Sequence, residues 1–223
     1  MTSIAFPAIG TGTLQFPRTE VAEIYFDEVI SYNKKNPFTS IKEVKFVLYD
    51  QDQPTVQAFD AELKKRMESN APLSVRKRTE SLQKKIKSPA KEFKASSPQT
   101  AAFSQLRERT QDQLETNVGS LCFKVQPGDI TTETTDVVVV ISNEDVDIGR
   151  GGGAGAAILR AGGRSIQREC SQNGPQSPGS VVVTRAGNLK ARFIFHIVPP
   201  NTLNERSIKS SIMKCLQEAE KRG

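Results

Sequence analysis

The sequence predicts a three-layer α/β/α fold around a mixed sheet. Two observations carry that expectation. Apolar runs of strand length alternate with helical stretches that have one apolar side. Two of the runs, Ser3–Ala8 and Val137–Ile141, are followed by a glycine-rich loop and then a helix. Open α/β sheets present backbone N–H groups to phosphate in this way. Spacing alone leaves the choice open, because G-x-G after a strand is more often a tight turn than a ligand site.

The elements follow in order. Ser3–Ala8 reads as a buried strand, and Gly10, Thr11 and Gly12 form its loop. Pro17 leads into a helix, with Thr19 as the expected N-cap and Val21, Ala22, Tyr25, Phe26, Val29 and Ile30 on its apolar side. Val44–Leu48 is a strand ending at Tyr49. Pro54 suits the first turn of a second helix, striped by Val56, Phe59, Leu63 and Met67. Order signals fade from Ser69 to about Ser97, and residues 100–117 read as a weak helix or more linker. Structure resumes with the strand Leu121–Val125 and the turn Gln126–Asp129. Asp136 opens the run Val137–Ile141, whose β-branched residues suit a strand covered on both faces. A helix is expected from Ala154 to Leu159, stopped by Gly162-Gly163, then a short helix at Ser165–Cys170. Strands follow at Ser180–Thr184 and Ala191–Val198. A last helix spans Asn204–Arg222, with Ile208, Ile212, Met213, Leu216 and Ala219 on one side.

Composition narrows the function classes. The chain has 223 residues and a mean hydropathy of -0.43, low for a fully packed domain. No apolar run approaches the ~20 residues of a membrane helix. No secretory signal is visible at the N-terminus, and Cys122, Cys170 and Cys215 form no C-x-x-C, so an intracellular, reducing setting is expected. A single histidine, His196, rules out a His-based zinc cluster; inside an apolar strand it reads as a core residue. The net charge of +6 has one source. Residues 69–94 hold eight basic side chains against Glu80 and Glu92. The expectation is a solvated linker. Its second reading is a salt-sensitive contact to nucleic-acid phosphates or a similar polyanion, with only Phe93 to stack on bases.

Taken together, these residues resemble a macrodomain, the ADP-ribose-binding module. The family pattern of a strand and G-D-I-T is matched by Gly128-Asp129-Ile130-Thr131. A strand ending in Asn is matched by Val137–Asn143, and a glycine loop with its helix by Gly151–Leu159. The family's second phosphate loop is similar to Ser3–Gly12, yet here it comes first. The chain therefore resembles the C-terminal half of one macrodomain (1–68), a basic linker (69–118) and the N-terminal half of the next (119–223). That arrangement is known from macrodomain-bearing mono-ADP-ribosyltransferases of the poly-ADP-ribose polymerase family. Each element of the fold is present once, so the halves are expected to associate as a permuted domain. Closing a ~70-residue linker costs little, because loop entropy grows only logarithmically with length.

The resemblance implies roles for particular residues. Gly10, Thr11, Gly12 and Thr13 would wrap the pyrophosphate, with Gly151, Gly152, Gly153 and Ala154 closing on its other side at a helix N-terminus. Asp129 would accept from the adenine amino group, with the Ile130 N–H nearby; its alternative is an Asx-turn. Tyr49 would pack on adenine or serve as rim, Asn143 would bond the distal ribose, and Phe16 would lie against that ribose or in the core. Leu14 falls where many relatives carry an aromatic. Hydrolytic relatives place an acidic residue where this chain has Gly155, which favours a reader of ADP-ribose that uses no cofactor or metal. The alternatives are an ADP-ribosyl hydrolase, or a non-binding scaffold piece if the halves do not pair. Expected partners are ADP-ribose, mono-ADP-ribosylated proteins and neighbouring macrodomains in the nucleus or cytoplasm, with no membrane, and a weak contact of residues 69–94 to nucleic acid or poly-ADP-ribose as the second reading of that window.

Overall fold

The computed structural model describes residues 1–12, 14–70, 107–110, 113–150, 153–200, 202 and 204–223. Their strands are β1 Ser3–Phe6, β2 Glu43–Leu48, β3 Arg107–Thr110, β4 Gln113–Val118, β5 Leu121–Pro127, β6 Val137–Ile141, β7 Val181–Arg185 and β8 Phe193–Ile197. Their helices are α1 Arg18–Lys35, α2 Gln53–Asn70, α3 Gly153–Gly162, α4 Arg164–Gln172 and α5 Glu205–Lys221.

All eight strands join one sheet in the order β3-β4-β5-β2-β1-β6-β8-β7. The first 70 residues supply β1 and β2, which sit mid-sheet between β5 and β6 from the far end of the chain. Five neighbours, β5, β2, β1, β6 and β8, are parallel, and the outer strands are antiparallel. Residues of β1 pair on one side with β2 (Ile4 with Val44) and on the other with β6 (Ile4 with Val137). Buried on both faces, these strands read as continuous apolar runs.

Helices α1, α2 and α5 cover one face, and α3 and α4 cover the other. The first core is aromatic. Tyr25 and Phe26 of α1 meet Phe46 of β2 and Phe59 of α2 edge-on or tilted, and Phe123 of β5 stacks on Phe26 with centroids 6.1 Å apart. Ring pairs of this kind add roughly 0.5–1.5 kcal/mol beyond burial, and here they weld strands from the two ends of the chain. The second core is aliphatic, with Val138, Val140, Ile148, Ile158, Ile166 and Ile194.

Two local expectations need correction. Thr19 lies inside α1, whose N-cap is Pro17 with no side-chain capping bond. Residues 107–110 and 113–118, expected to be linker or weak helix, form the edge strand β3 and its neighbour β4, so the folded part beyond the linker starts before residue 119. Their alternation was faint, because β3 has no apolar residue and β4 buries Thr116 and Glu115 beside Leu114 and Val118. The basic window lies outside the described residues from 71 onward.

Candidate functional site

Parallel strands put all their carboxyl ends on one edge, and every candidate residue among the described ones follows such an end. Gly10–Phe16 follow β1, Tyr49 follows β2, Asp129 follows β5, and Asn143 to Ala154 follow β6. The chain leaves β1 toward α1 on one face and leaves β6 toward α3 on the other. Neighbouring strands whose connections diverge in this way open a crevice, the place where open α/β sheets bind ligands. The two glycine loops flank that crevice. Thr13, Gly151 and Gly152 lie outside the described residues.

The loop after β1 is held from within. The Tyr25 hydroxyl, fully buried, donates to Pro7 O at 2.5 Å and accepts from Ile9 N at 2.9 Å. Burial pushes its pKa well above the usual tyrosine range, despite the Ile9 bond, so the group stays protonated. Gly10 adopts φ 87°, a conformation open to glycine. Gly10 O then accepts from Phe16 N and Gly12 O from Gln15 N, both at 2.9 Å, and Thr11 Oγ1 donates to Ala8 O at 3.2 Å. Phe16 is half-buried against the aromatic core. A Cβ on Gly12 would meet nothing within 4 Å, so the space before it is open.

The loop after β6 is folded by Asn143, whose Oδ1 accepts from Asp147 N at 2.8 Å while its backbone O accepts from Val146 N at 3.0 Å. This leaves the amide Nδ2 as the group able to donate outward. Val146 is fully buried at φ 53°. A β-branched residue in the left-handed region is strained. The only other non-glycine residue there among the described ones is Gln15, at φ 49° in the opposite loop. Strain of this kind gathers at ligand clamps. Helix α3 begins at Gly153, with its positive dipole end at the crevice. Gly155 is required by packing, since a Cβ there would stand 2.5 Å from Ile148 O.

Asp129 caps the short turn Ile130–Thr132, its Oδ1 accepting from Thr131 N at 2.9 Å and Thr131 Oγ1 at 2.8 Å. The Asx-turn is thus present, and the exposed carboxylate still faces outward. The turn packs against α3, and Ile130 enters the aliphatic core. Tyr49 and Leu14 are exposed on the rim.

His196 is a core residue. It is fully buried with Thr184 Oγ1 2.8 Å from Nε2 and Cys170 Sγ 3.7 Å from the same nitrogen, and burial lowers its pKa to about 4. Cys170 itself is pushed up to about 12, chiefly by burial. An uncharged imidazole in this pocket packs; it has no exposed face for chemistry.

One arrangement was missed from sequence. Arg18, at the start of α1, donates its Nε to Thr55 Oγ1 at 3.0 Å and to Asp52 Oδ1 at 3.3 Å, tying α1 to α2 beside the crevice. Only the position of Arg18 just after the glycine loop could have drawn attention to it.

Residues 142–223 match the Macro domain model. Over 220 residues, 99% of this chain, the sequence is 33% identical to the human protein mono-ADP-ribosyltransferase PARP14, of which that stretch makes up 11%. An uncharacterized protein of Sulfolobus acidocaldarius is 37% identical over 102 residues, 43% of this chain and 55% of the relative. The chain thus spans about half or less of these curated relatives. Among solved structures, the Oryza sativa APL macrodomain in complex with ADP-ribose matches with a TM-score of 0.61 over 97% of this chain and 94% of that one. Identity there is 17%, a likeness of fold. Residues 142–223 thus carry a Macro domain match, and the chain has the fold of a macrodomain.

Proposed function

We propose that this chain is an ADP-ribose-binding module that takes the free ligand or ADP-ribose carried on a protein. The observation that carries the reading is the crevice between the carboxyl ends of β1 and β6, flanked by two strained loops and the N-terminus of α3. Backbone N–H groups and a helix dipole at that place suit a pyrophosphate. Asp129 and Tyr49, two and one strands away from β1, suit the adenine, and Asn143 suits the second ribose. We read the order of elements as a permutation that joins half-modules of two successive macrodomains. The collinear 220-residue match to a much longer human relative supports this.

Recognition without turnover fits Gly155. A side chain there collides with Ile148 O, so the carboxylate that hydrolytic relatives place at this point has no room. The three free thiols suit a reducing compartment, the nucleus or cytoplasm. Calorimetric titration with ADP-ribose tests the proposal. One-to-one binding is expected, with ADP-ribose recovered intact; absence of binding heat at millimolar ligand would refute the module, and consumption of a mono-ADP-ribosylated protein would make it an enzyme.

A further inference from the structure

Outside the window 69–94 the positive charge is not spread evenly. Residues 160–192 hold six basic side chains, Arg160, Arg164, Arg168, Arg185, Lys190 and Arg192, against the single acid Glu169. The fold gathers them. Arg160 and Arg164 stand on either side of the Gly162-Gly163 junction of α3 and α4, and Arg168 lies one turn further along α4. Arg185 ends β7, and Lys190 and Arg192 lie in the turn that leads to β8. The junction and the turn are locked together. Asn188 N donates to Gly162 O at 2.9 Å, and a Cβ on Gly187 would stand 2.2 Å from the same oxygen. Glu169 Oε2 accepts from Arg185 N at 3.1 Å, which ties α4 to the end of β7.

All six side chains are exposed. Arg192 pairs with Asp136 at 3.3 Å. Arg160, Arg164, Arg168, Arg185 and Lys190 have no carboxylate partner among the described residues. Glu169, the acid in their midst, is engaged by the Arg185 amide. Protein surfaces usually intersperse both signs of charge, and a surface of one sign attracts a partner of the other. This one lies toward the amino edge of the sheet, where α3 ends and β8 begins, away from the glycine loops at the carboxyl edge.

The chemistry of the surface selects the partner. Five of its six cations are arginines, whose planar forks bind phosphate oxygens in pairs. Among the described residues the exposed large apolar side chains are Leu14, Phe38 and Tyr49, none of them here. A protein partner would need an apolar or aromatic centre to its interface, whereas a phosphate backbone needs none. Stacking on single-stranded bases would need an open ring, and Phe193, the aromatic beside the patch, is half-buried with the Arg192 guanidinium over its face at 5.7 Å.

We propose that the arginine surface of α3, α4 and the β7–β8 turn binds the phosphate backbone of double-helical nucleic acid without reading its sequence. It is separate from the crevice and stands whether or not the crevice takes ADP-ribose. Each phosphate neutralised releases counterions, so the contact weakens steeply with salt.

Fluorescence anisotropy of a labelled duplex of about 20 base pairs, titrated with the full chain at several salt concentrations, tests the proposal. Saturable binding is expected, with log K falling linearly with log salt. Arg160→Gln, Arg164→Gln and Arg168→Gln together should weaken binding at least about tenfold near 0.1 M salt and make the slope shallower by roughly 2–3. Because these side chains are exposed, the melting temperature should stay that of the parent chain. Arg160→Lys, Arg164→Lys and Arg168→Lys together keep the charge and should keep the slope. Saturating ADP-ribose should leave the duplex bound. No binding at low salt, or an affinity and slope unchanged in the glutamine variant, would overturn the proposal; the second result would move the contact to residues 69–94. Displacement of the duplex by ADP-ribose, or tighter binding of a single strand of equal length, would also overturn it. So would poly-glutamate that competes as well as the duplex, a sign of an acidic protein partner.

Discussion

At the amino edge of the sheet, carboxylates close the structure; at the carboxyl edge, glycines and strained turns leave it open. Asp136 accepts from Thr2 N at 2.7 Å, Thr2 Oγ1 at 2.9 Å, Ser3 N at 3.2 Å and Arg192 at 3.3 Å. Glu220, near the end of α5, accepts from Ser40 N at 2.9 Å, from the Tyr32 hydroxyl at 3.1 Å and from Thr39 Oγ1. Burial would raise both carboxyls, but these hydrogen bonds outweigh it and hold each below its ordinary value. Both latches join the first 70 residues to the far end of the chain. The carboxyl edge has Gly10, Gly12 and Gly153, exposed Leu14 and Tyr49, and positive φ at Gln15 and Val146. On the proposed reading, stability and recognition lie at opposite ends of the same strands, so each should be removable without the other.

The largest expected effect is at the open edge. Gly12→Glu puts bulk and negative charge where the protein itself leaves space, so calorimetry should detect no ADP-ribose binding while the melting temperature stays near that of the parent chain. Retained affinity would break the comparison from the functional side.

The next largest effect is a response to acid. The folded state holds His196 neutral, with a pKa of about 4 against an ordinary 6.5. As pH falls through 6.5, the unfolded chain takes up a proton that the folded chain refuses. Stability present above pH 6.5 is therefore lost progressively down to about pH 4, by about 3 kcal/mol. Asp136 and Glu220, with lowered values, add their losses below the ordinary carboxylate range. Urea unfolding at pH 7.5 and at pH 4 measures the His196 loss, and equal midpoints would contradict it; a third measurement at pH 3 adds that of the two carboxylates.

Asp136→Ala should cost about 2 kcal/mol, typical of hydrogen bonds to a charged group. Thermal melting should show the loss and ADP-ribose affinity should not; a parallel loss of both would couple the two edges. Tyr25→Phe gives the smallest change. Removing its hydroxyl unpairs Pro7 O and Ile9 N, at about 1–2 kcal/mol. Because Tyr25 supports the loop from the core, this substitution should weaken both stability and ADP-ribose binding, as no other here does.

Much of the carboxyl edge was legible in the sequence. Each glycine loop lies directly after its own strand, so short windows of residues display it. Val137–Ile141 and the turn at Asp129 were visible for the same reason, and His196 declared itself by its apolar neighbours. The amino edge was not legible. Asp136 meets Thr2 across 134 residues and Glu220 meets Ser40 across 180, and no local pattern marks either carboxylate as a latch. Strand β3 escaped because an edge strand can be polar and still pair, and its neighbour β4 because the buried Glu115 and Thr116 between Leu114 and Val118 blur the alternation that reveals a strand. Thr19 misled because a proline, with its fixed φ, already sets the entry to α1.

The account is tested most directly by an amide-resolved NMR titration with ADP-ribose. It predicts shifts at Ala8–Phe16, at Asp129–Thr131 and from Asn143 to Ala154. Thr2, Ser3, Asp136 and residues 219–223 should stay still. Shifts centred on the amino edge, or none at the two glycine loops, would contradict it.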